Sequence, residues 1–158
     1  MVEPGSRRRS IWLAGVGAFL VGCYGADGLG SALAGGSGGP GGGPPGSLDG
    51  SFGAGGQGVT PFGTGGDDAT ALAIQTDGKI VVAGHASNGS NTDIAVARYN
   101  GNGTLDATFD TDGRLTTAIG SSDDHAFGVA LQSDGKIVAA GFSSNGSNND
   151  FALVRIFP

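Results

Sequence analysis

Apolar and polar residues alternate in short runs through the second half of the chain, and these runs come in pairs. The first pair flanks Asp77-Gly78 and the second flanks Asp134-Gly135. An Asp-Gly pair between two such runs is the strongest local signal for a β-hairpin. Because Asp tolerates the left-handed backbone region and Gly enters it freely, we predict mirror-type turns at both places. We expect these turns to be more sensitive to substitution than the Ser-Asn-Gly loops elsewhere in the chain.

The two hairpins belong to a tandem repeat. The phrase from Asp77 to Gly84 returns almost unchanged from Asp134 to Gly141, at an offset of 57 residues. The same offset aligns the chain from Leu48 onward without a gap, and 25 of the 54 paired positions are identical. Chance does not produce such agreement, so the chain contains a duplicated unit, at residues 48–104 and 105–158.

Each unit is predicted to form four short strands and no helix. Gly and β-branched residues are frequent in this part of the chain, and no apolar stripe repeats at helical spacing. The sequence therefore predicts an all-β fold of two four-stranded units. The strands are expected at 57–62, 69–75, 79–86 and 93–100 in the first unit, and at 114–119, 126–132, 136–143 and 150–157 in the second.

The residues before Leu48 have a different character. Three Arg at positions 7–9 precede an uncharged apolar run at 11–22, which is typical of a secretory signal. A membrane span needs about 20 apolar residues, so this run is too short to be one. Residues 1–22 are therefore expected to direct export. Residues 23–47 are rich in Gly and Pro and carry too little apolar mass to fold, which predicts a flexible tether.

The apolar run ends in Leu20-Val21-Gly22-Cys23, which resembles the lipobox of bacterial lipoproteins. In that family the Cys thiol carries a diacylglyceryl group and the chain is cut before it. The resemblance implies cleavage after Gly22, lipidation of Cys23 and a membrane-anchored protein of the bacterial cell envelope. Two alternatives stay open, namely a plain signal with an incidental thiol and, because of the Arg run, twin-arginine export.

Charge removes one class of partner. The chain has 8 Lys and Arg against 14 Asp and Glu, a formal net charge of −6. An acidic surface repels phosphate backbones. Nucleic acid is therefore not an expected partner.

Four motifs of the repeat together suggest a family. They are Leu-Asp-x-Ser/Thr-Phe, then Gly-Gly or Asp-Gly, then Gln-x-Asp-Gly-Lys-Ile-Val-x-Ala-Gly and Asp-x-Ala-x-x-Arg-Tyr, and they resemble the delta-60 repeat of bacterial exported proteins. The resemblance implies a propeller-like arrangement of four-stranded blades and supplies no catalytic residues. The second unit departs from the pattern at Asp110, Asp112 and Ile156, where different packing is expected. In the first unit the motif residues are Leu48, Asp49, Ser51, Phe52, Gly55, Gly56, 75–84, Asp93, Ala95, Arg98 and Tyr99.

Neither histidine follows the repeat, since the other unit has Phe142 opposite His85 and Asp68 opposite His125. No Cys or carboxylate stands at metal-ligand spacing from them, so both are expected at a surface or a blade edge. The Ser residues lie in Ser-Asn-Gly loops and not in a nucleophile elbow. We therefore expect no catalytic residue, no metal and no cofactor, and interpret the protein as a binding or interaction module for an unidentified protein or carbohydrate. An enzyme is the least favoured alternative.

Two groups of carboxylates are candidate sites. Asp106, Asp110 and Asp112 lie in one turn, an oxygen-rich arrangement that calcium favours, but the first unit has only Asp49, with Gly53 and Gly55 at the other two places. A solvated turn is the preferred interpretation. Asp67 and Asp124 each stand beside a second Asp, yet Asp before a strand usually accepts hydrogen bonds from the backbone of the turn.

The expected blades are out of phase with the repeat units. Strand 114–119 would complete the blade formed by 69–100, whereas strand 57–62 follows no blade in this sequence. Two blades are fewer than the about four to eight that close a propeller. Because unpaired edges promote pairing, we expect a head-to-tail homo-oligomer in which 57–62 of one copy completes blade 126–157 of the next. A shortened member of a longer array is the alternative.

Overall fold

The computed structural model describes residues 43–158, and this part of the chain is all-β, as predicted. The signal at 1–22, Cys23 and most of the tether at 23–47 lie outside the described residues. Residues 43–158 contain no helix that could cross a membrane. The strands are β1 (Asp67–Ile74), β2 (Ile80–Ser87), β3 (Thr92–Tyr99), β4 (Arg114–Thr117), β5 (Asp124–Leu131), β6 (Ile137–Ser144) and β7 (Asn149–Ile156).

The strands form two antiparallel sheets. The first sheet has the order β1-β2-β3-β4, and the second has the order β5-β6-β7. Strand β4 comes from the second repeat unit, yet it pairs with β3 from Ile94 opposite Thr117 to Ala97 opposite Arg114. This pairing confirms that sheets and repeat units are out of phase.

The strand predicted at 57–62 does not form. Only an isolated bridge joins Gly53 to Gln57 in this stretch. A strand exists only where a neighbouring edge accepts its backbone hydrogen bonds. In the second unit β3 supplies that edge to β4, whereas in residues 43–158 no strand of an earlier sheet lies beside 57–62. The stretch is held instead by single contacts, such as Tyr99 Oη donating to Thr60 Oγ1 at 2.8 Å.

The Asp-Gly hairpins form, but their turns are not mirror-type. Gly78 has φ of 85°, whereas Asp77 is not among the non-glycine residues with positive φ. The amide of Gly78 donates to the carbonyl of Gln75 at 2.9 Å, and the Gln75 amide to that of Lys79 at 2.8 Å. These bonds define a type I turn followed by a left-handed glycine. Asp77 Oδ1 accepts from the Lys79 amide at 3.1 Å, which favours this arrangement. The second hairpin repeats these contacts with Gln132, Asp134, Gly135 and Lys136.

One hydrophobic core lies between the two sheets. We call the faces that form it the inner faces, and the opposite faces the outer faces. Many of its residues are Ala or Val, so the sheets approach closely. The fully buried members are Val81, Ala83, Ile94, Val96, Phe109, Ala126, Ile137 and Ala139, and the partly buried Leu115, Val129, Leu131, Val154 and Ile156 pack against them. Ile156, where the repeat pattern is broken, thus still contributes to the core.

Both sheets carry a β-bulge at the same place. The register shifts between Ala69 and Ala71 in β1, and between Ala126 and Gly128 in β5. A Cβ atom added to Gly84, which faces the first bulge, would lie 1.8 Å from the carbonyl oxygen of Asp68. The duplication therefore preserves a backbone irregularity that only glycine accommodates.

Candidate functional site

Two histidines from different sheets stack on each other. The rings of His85 on β2 and His125 on β5 have centroids 3.7 Å apart and planes inclined by 8°. His125 Nε2 is 2.7 Å from Thr92 Oγ1, and His85 Nε2 is 3.4 Å from Asp68 Oδ2. The sequence did not predict this pair, because the two residues occupy different positions of the repeat. Their common departure from the repeat pattern was the only signal.

The electrostatics of this pair favour a neutral His125 ring. Burial lowers the pKa of His125, and the neighbouring His85 lowers that pKa further, although nearby carboxylates, including Asp123, oppose the shift. The stack continues outward, since the His125 ring lies 4.8 Å from that of Phe142. Within residues 43–158 no group of three or more His, Cys, Asp or Glu is arranged to hold a metal ion. The stacked rings join β2 of the first sheet to β5 of the second.

Arg98 on β3 and Asp106 in the segment after it form a buried ion pair. Arg98 Nε donates to Asp106 Oδ2 at 2.8 Å, and the Asp106 side chain is 5% exposed. The hydroxyl and the amide of Thr108 donate to Oδ1 at 2.7 and 3.1 Å. These Thr108 bonds, helped by Arg98, lower the pKa of Asp106 against the effect of burial. The Phe109 ring lies 5.0 Å from the guanidinium carbon of Arg98.

The three carboxylates weighed as a calcium site therefore have separate roles. Asp106 is bound to Arg98, whereas Asp112 Oδ2 accepts from Arg114 Nη2 at 2.7 Å. Asp110 has a positive φ of 43°. The interpretation as a solvated turn is wrong for Asp106, because its side chain is buried against Arg98. The local sequence does not indicate this contact, since Arg98 lies on β3.

Asp67 and Asp124 serve the backbone, as expected. Asp67 Oδ2 accepts from the amide of Phe62 at 2.9 Å. Asp124 Oδ2 accepts from the amide of Ile119 at 2.7 Å. Each carboxylate thus holds the loop that precedes its sheet, in the same way in both units.

Large exposed apolar side chains lie on the outer faces of both sheets. On the first sheet Leu72 is 64% exposed and Ile74 is 63% exposed. On the second sheet Phe151 and Leu153 are exposed, at 103% and 70%. Each face also has an open groove, of about 260 Å³ beside Tyr99 and about 220 Å³ beside Phe151. Exposed apolar patches of this kind mark interaction sites in soluble proteins.

The comparisons with known proteins agree with this architecture. Residues 75–109 and 132–158 match a family described as a beta-propeller domain of unknown function, DUF5122. Searches of curated proteins and of solved structures found no match. Each matched segment contains one Asp-Gly turn and the two strands that follow it. The two sheets are blade-like, and the chain is a propeller-type repeat protein.

Proposed function

We propose that this protein is a lipid-anchored, exported member of the delta-60 repeat type, and that its blades act as a non-catalytic interaction module on the bacterial cell envelope. The observation that carries the proposal is the exposure of large apolar side chains on both outer faces. In a propeller such faces are covered by neighbouring blades. A sheet that is apolar on both of its faces is suited to binding a protein surface.

The absence of a catalytic role is part of the proposal. An active site needs titratable groups that are free to act on a substrate. In the described part of the chain, Asp106, Asp112, Asp67 and Asp124 each accept hydrogen bonds from protein groups. His125 contacts Thr92. These side chains are thus engaged in contacts within the protein, which supports a non-catalytic role.

The anchor is inferred from the sequence around Cys23. Cys23 is the single cysteine of the chain and follows Leu20-Val21-Gly22. A diacyl group supplies the two chains that stable anchoring requires. A flexible tether of this length reaches roughly 25 Å, at about 5–6 Å times the square root of the residue number. The blades would therefore stand clear of the lipid headgroups.

Replacing the cysteine tests the anchor. Cys23→Ser should abolish incorporation of labelled fatty acid and move the protein from the membrane fraction to the soluble fraction. A matched control, Cys23→Ser with Ser37→Cys, keeps one thiol in the tether and should also stay unlabelled. Equal labelling of wild type and Cys23→Ser would contradict the proposal.

Photo-cross-linking tests the interaction role. A photoreactive phenylalanine analogue at Phe151 of the full chain should give adducts in cells, because this side chain is fully exposed on the outer face of the second sheet. The control position is Ser90, which is exposed in a loop. Equal adduct yields at both positions, or no adducts at Phe151, would contradict an interaction role for this face.

A further inference from the structure

We infer that the partner of both outer faces is a second copy of this chain, stacked head-to-tail so that each contact between copies repeats the packing of the second sheet on the first. The inference rests on the proposed interaction function and specifies its partner. It differs from strand exchange alone, because whole sheet faces are buried.

The outer face of the first sheet is the repeat equivalent of a face that is already packed. At the offset of 57 residues, Leu72 and Ile74 correspond to Val129 and Leu131. The latter pair packs against the core between the sheets. The remaining pairs are Ile80 with Ile137, Val82 with Ala139, Ala97 with Val154 and Tyr99 with Ile156. The outer face of the first sheet therefore has the same apolar pattern as the inner face of the second sheet. That inner face packs against the inner face of the first sheet.

The outer face of the second sheet supplies that complementary face. Phe151 and Leu153 correspond to Ile94 and Val96, which are fully buried between the sheets. Val138 and Ala140 likewise correspond to Val81 and Ala83. Placing the outer face of one copy's second sheet on the outer face of another's first sheet thus recreates the observed interface at equivalent positions.

Two charged residues, Arg155 and Asp49, support the same orientation of the copies. Arg155 is the equivalent of Arg98, and Asp49 is the equivalent of Asp106. Asp49 Oδ1 accepts from the amide and hydroxyl of Ser51 at 2.9 and 2.6 Å, as Asp106 does from Thr108. Within residues 43–158 Arg155 has no ion pair and Asp49 has no basic partner.

The equivalence predicts which atoms meet between copies. Asp49 of one copy accepts from the guanidinium of Arg155 of the next, and Phe52 covers that guanidinium as Phe109 covers Arg98. Residues 57–60, the equivalents of β4, then pair with the free edge of β7. Each contact between copies then has the geometry of two consecutive blades in a propeller.

Engineered disulfides in the full chain test the stacking. Asp106 and Arg98 are the equivalents of Asp49 and Arg155, and the Asp106 amide donates to the Arg98 carbonyl at 2.9 Å. The two backbones are therefore close, as a disulfide requires, with about 4.4–6.8 Å between Cα atoms. The double variant Asp49→Cys with Arg155→Cys should give a ladder of reducible multimers on a non-reducing gel. Each single variant is the matched control and should give no ladder. A double variant with no more multimer than the single variants would overturn the inference.

Charge reversal gives an independent readout. Asp49→Arg and Arg155→Asp should each reduce the multimer that a chemical cross-linker captures in the envelope, at least severalfold. The variant carrying both changes should recover it, because the pair is restored with opposite polarity. Failure of this recovery would overturn the proposed contact. If the Phe151 probe yields adducts only with other proteins, the interaction function stands and the self-assembly is wrong.

Discussion

At Gly84 the backbone of β2 passes so close to β1 that a methyl group has no room. A Cβ atom there would lie 1.8 Å from the Asp68 carbonyl oxygen, and the obstacle is backbone that cannot rotate away. Gly84→Ala should therefore lower the free energy of unfolding by about 2 kcal/mol or more, as overpacking does. Gly128→Ala is the control, because nothing lies within 4 Å of its added Cβ. Thermal melts of the two variants should differ, and equal midpoints would show that the bulge relaxes.

Sequence and structure rank the glycines differently. The Asp-Gly pattern predicted sensitive turn glycines, yet Gly89 in a Ser-Asn-Gly loop has φ of 93°, similar to the 85° of Gly78. A residue with a Cβ is strained in this region wherever it occurs, so Val at either position should cost about 1–2 kcal/mol. The expectation that the hairpin turns are the more sensitive is thus not supported. Gly84 is the most constrained of these positions, because the Asp68 carbonyl of the neighbouring strand lies against it. The local sequence does not indicate the bulge that brings this carbonyl close.

Among the elements, β3 and the segment that follows it are held by the Arg98–Asp106 pair. Removing one partner of a buried pair leaves the other charge unpaired, so Asp106→Asn should lower the free energy of unfolding by about 3 kcal/mol. The control is Asp112→Asn, whose exposed pair with Arg114 should contribute much less to stability. Urea denaturation at pH 7 measures both. Similar losses in the two variants would contradict a special role for the buried pair.

The same pair gives a pH dependence with a defined sign. The pKa of Asp106 is lowered in the folded protein, so its contribution to stability is present above the ordinary value of 3.8. That contribution is lost as the pH falls below 3.8 toward the folded-state pKa. Asp106→Asn should therefore show a weaker loss of stability than the wild type on acidification from pH 5 to 3, measured by urea midpoints. Parallel curves would contradict this assignment.

At the same scale, the strands were predictable where a partner strand exists. The alternation of apolar residues around Asp77-Gly78 indicated β1 and β2 to within a few residues, and the repeat placed β5 and β6. The strand expected at 57–62 failed because strand formation depends on a neighbouring edge, which the sequence of the segment does not contain. The ion pair of Arg98 was missed for a similar reason, since its partner belongs to the next repeat unit.

For the whole molecule, His125 couples the packing of the two sheets to pH. Its pKa is lowered from 6.5, chiefly by burial, so His125 binds a proton less readily in the folded protein than in the unfolded chain. Stability should therefore fall as the pH decreases below 6.5. In His125→Gln, which can keep a hydrogen bond to Thr92, the thermal midpoint should change less between pH 7.5 and 5.5. An unchanged slope would mean that other groups cause the acid sensitivity.

The placement of β4 also bears on how the protein loses its structure. β4 belongs to the second unit by sequence and to the first sheet by hydrogen bonding. In linear repeat arrays, units contact only their neighbours and can melt in stages. Here the boundary between units runs through a sheet. Disorder in residues 105–117 would therefore remove both the edge strand β4 from the first sheet and the Asp106 carboxylate that pairs with Arg98. The two halves of this duplicated chain are therefore expected to unfold together, with a calorimetric enthalpy equal to the van't Hoff value.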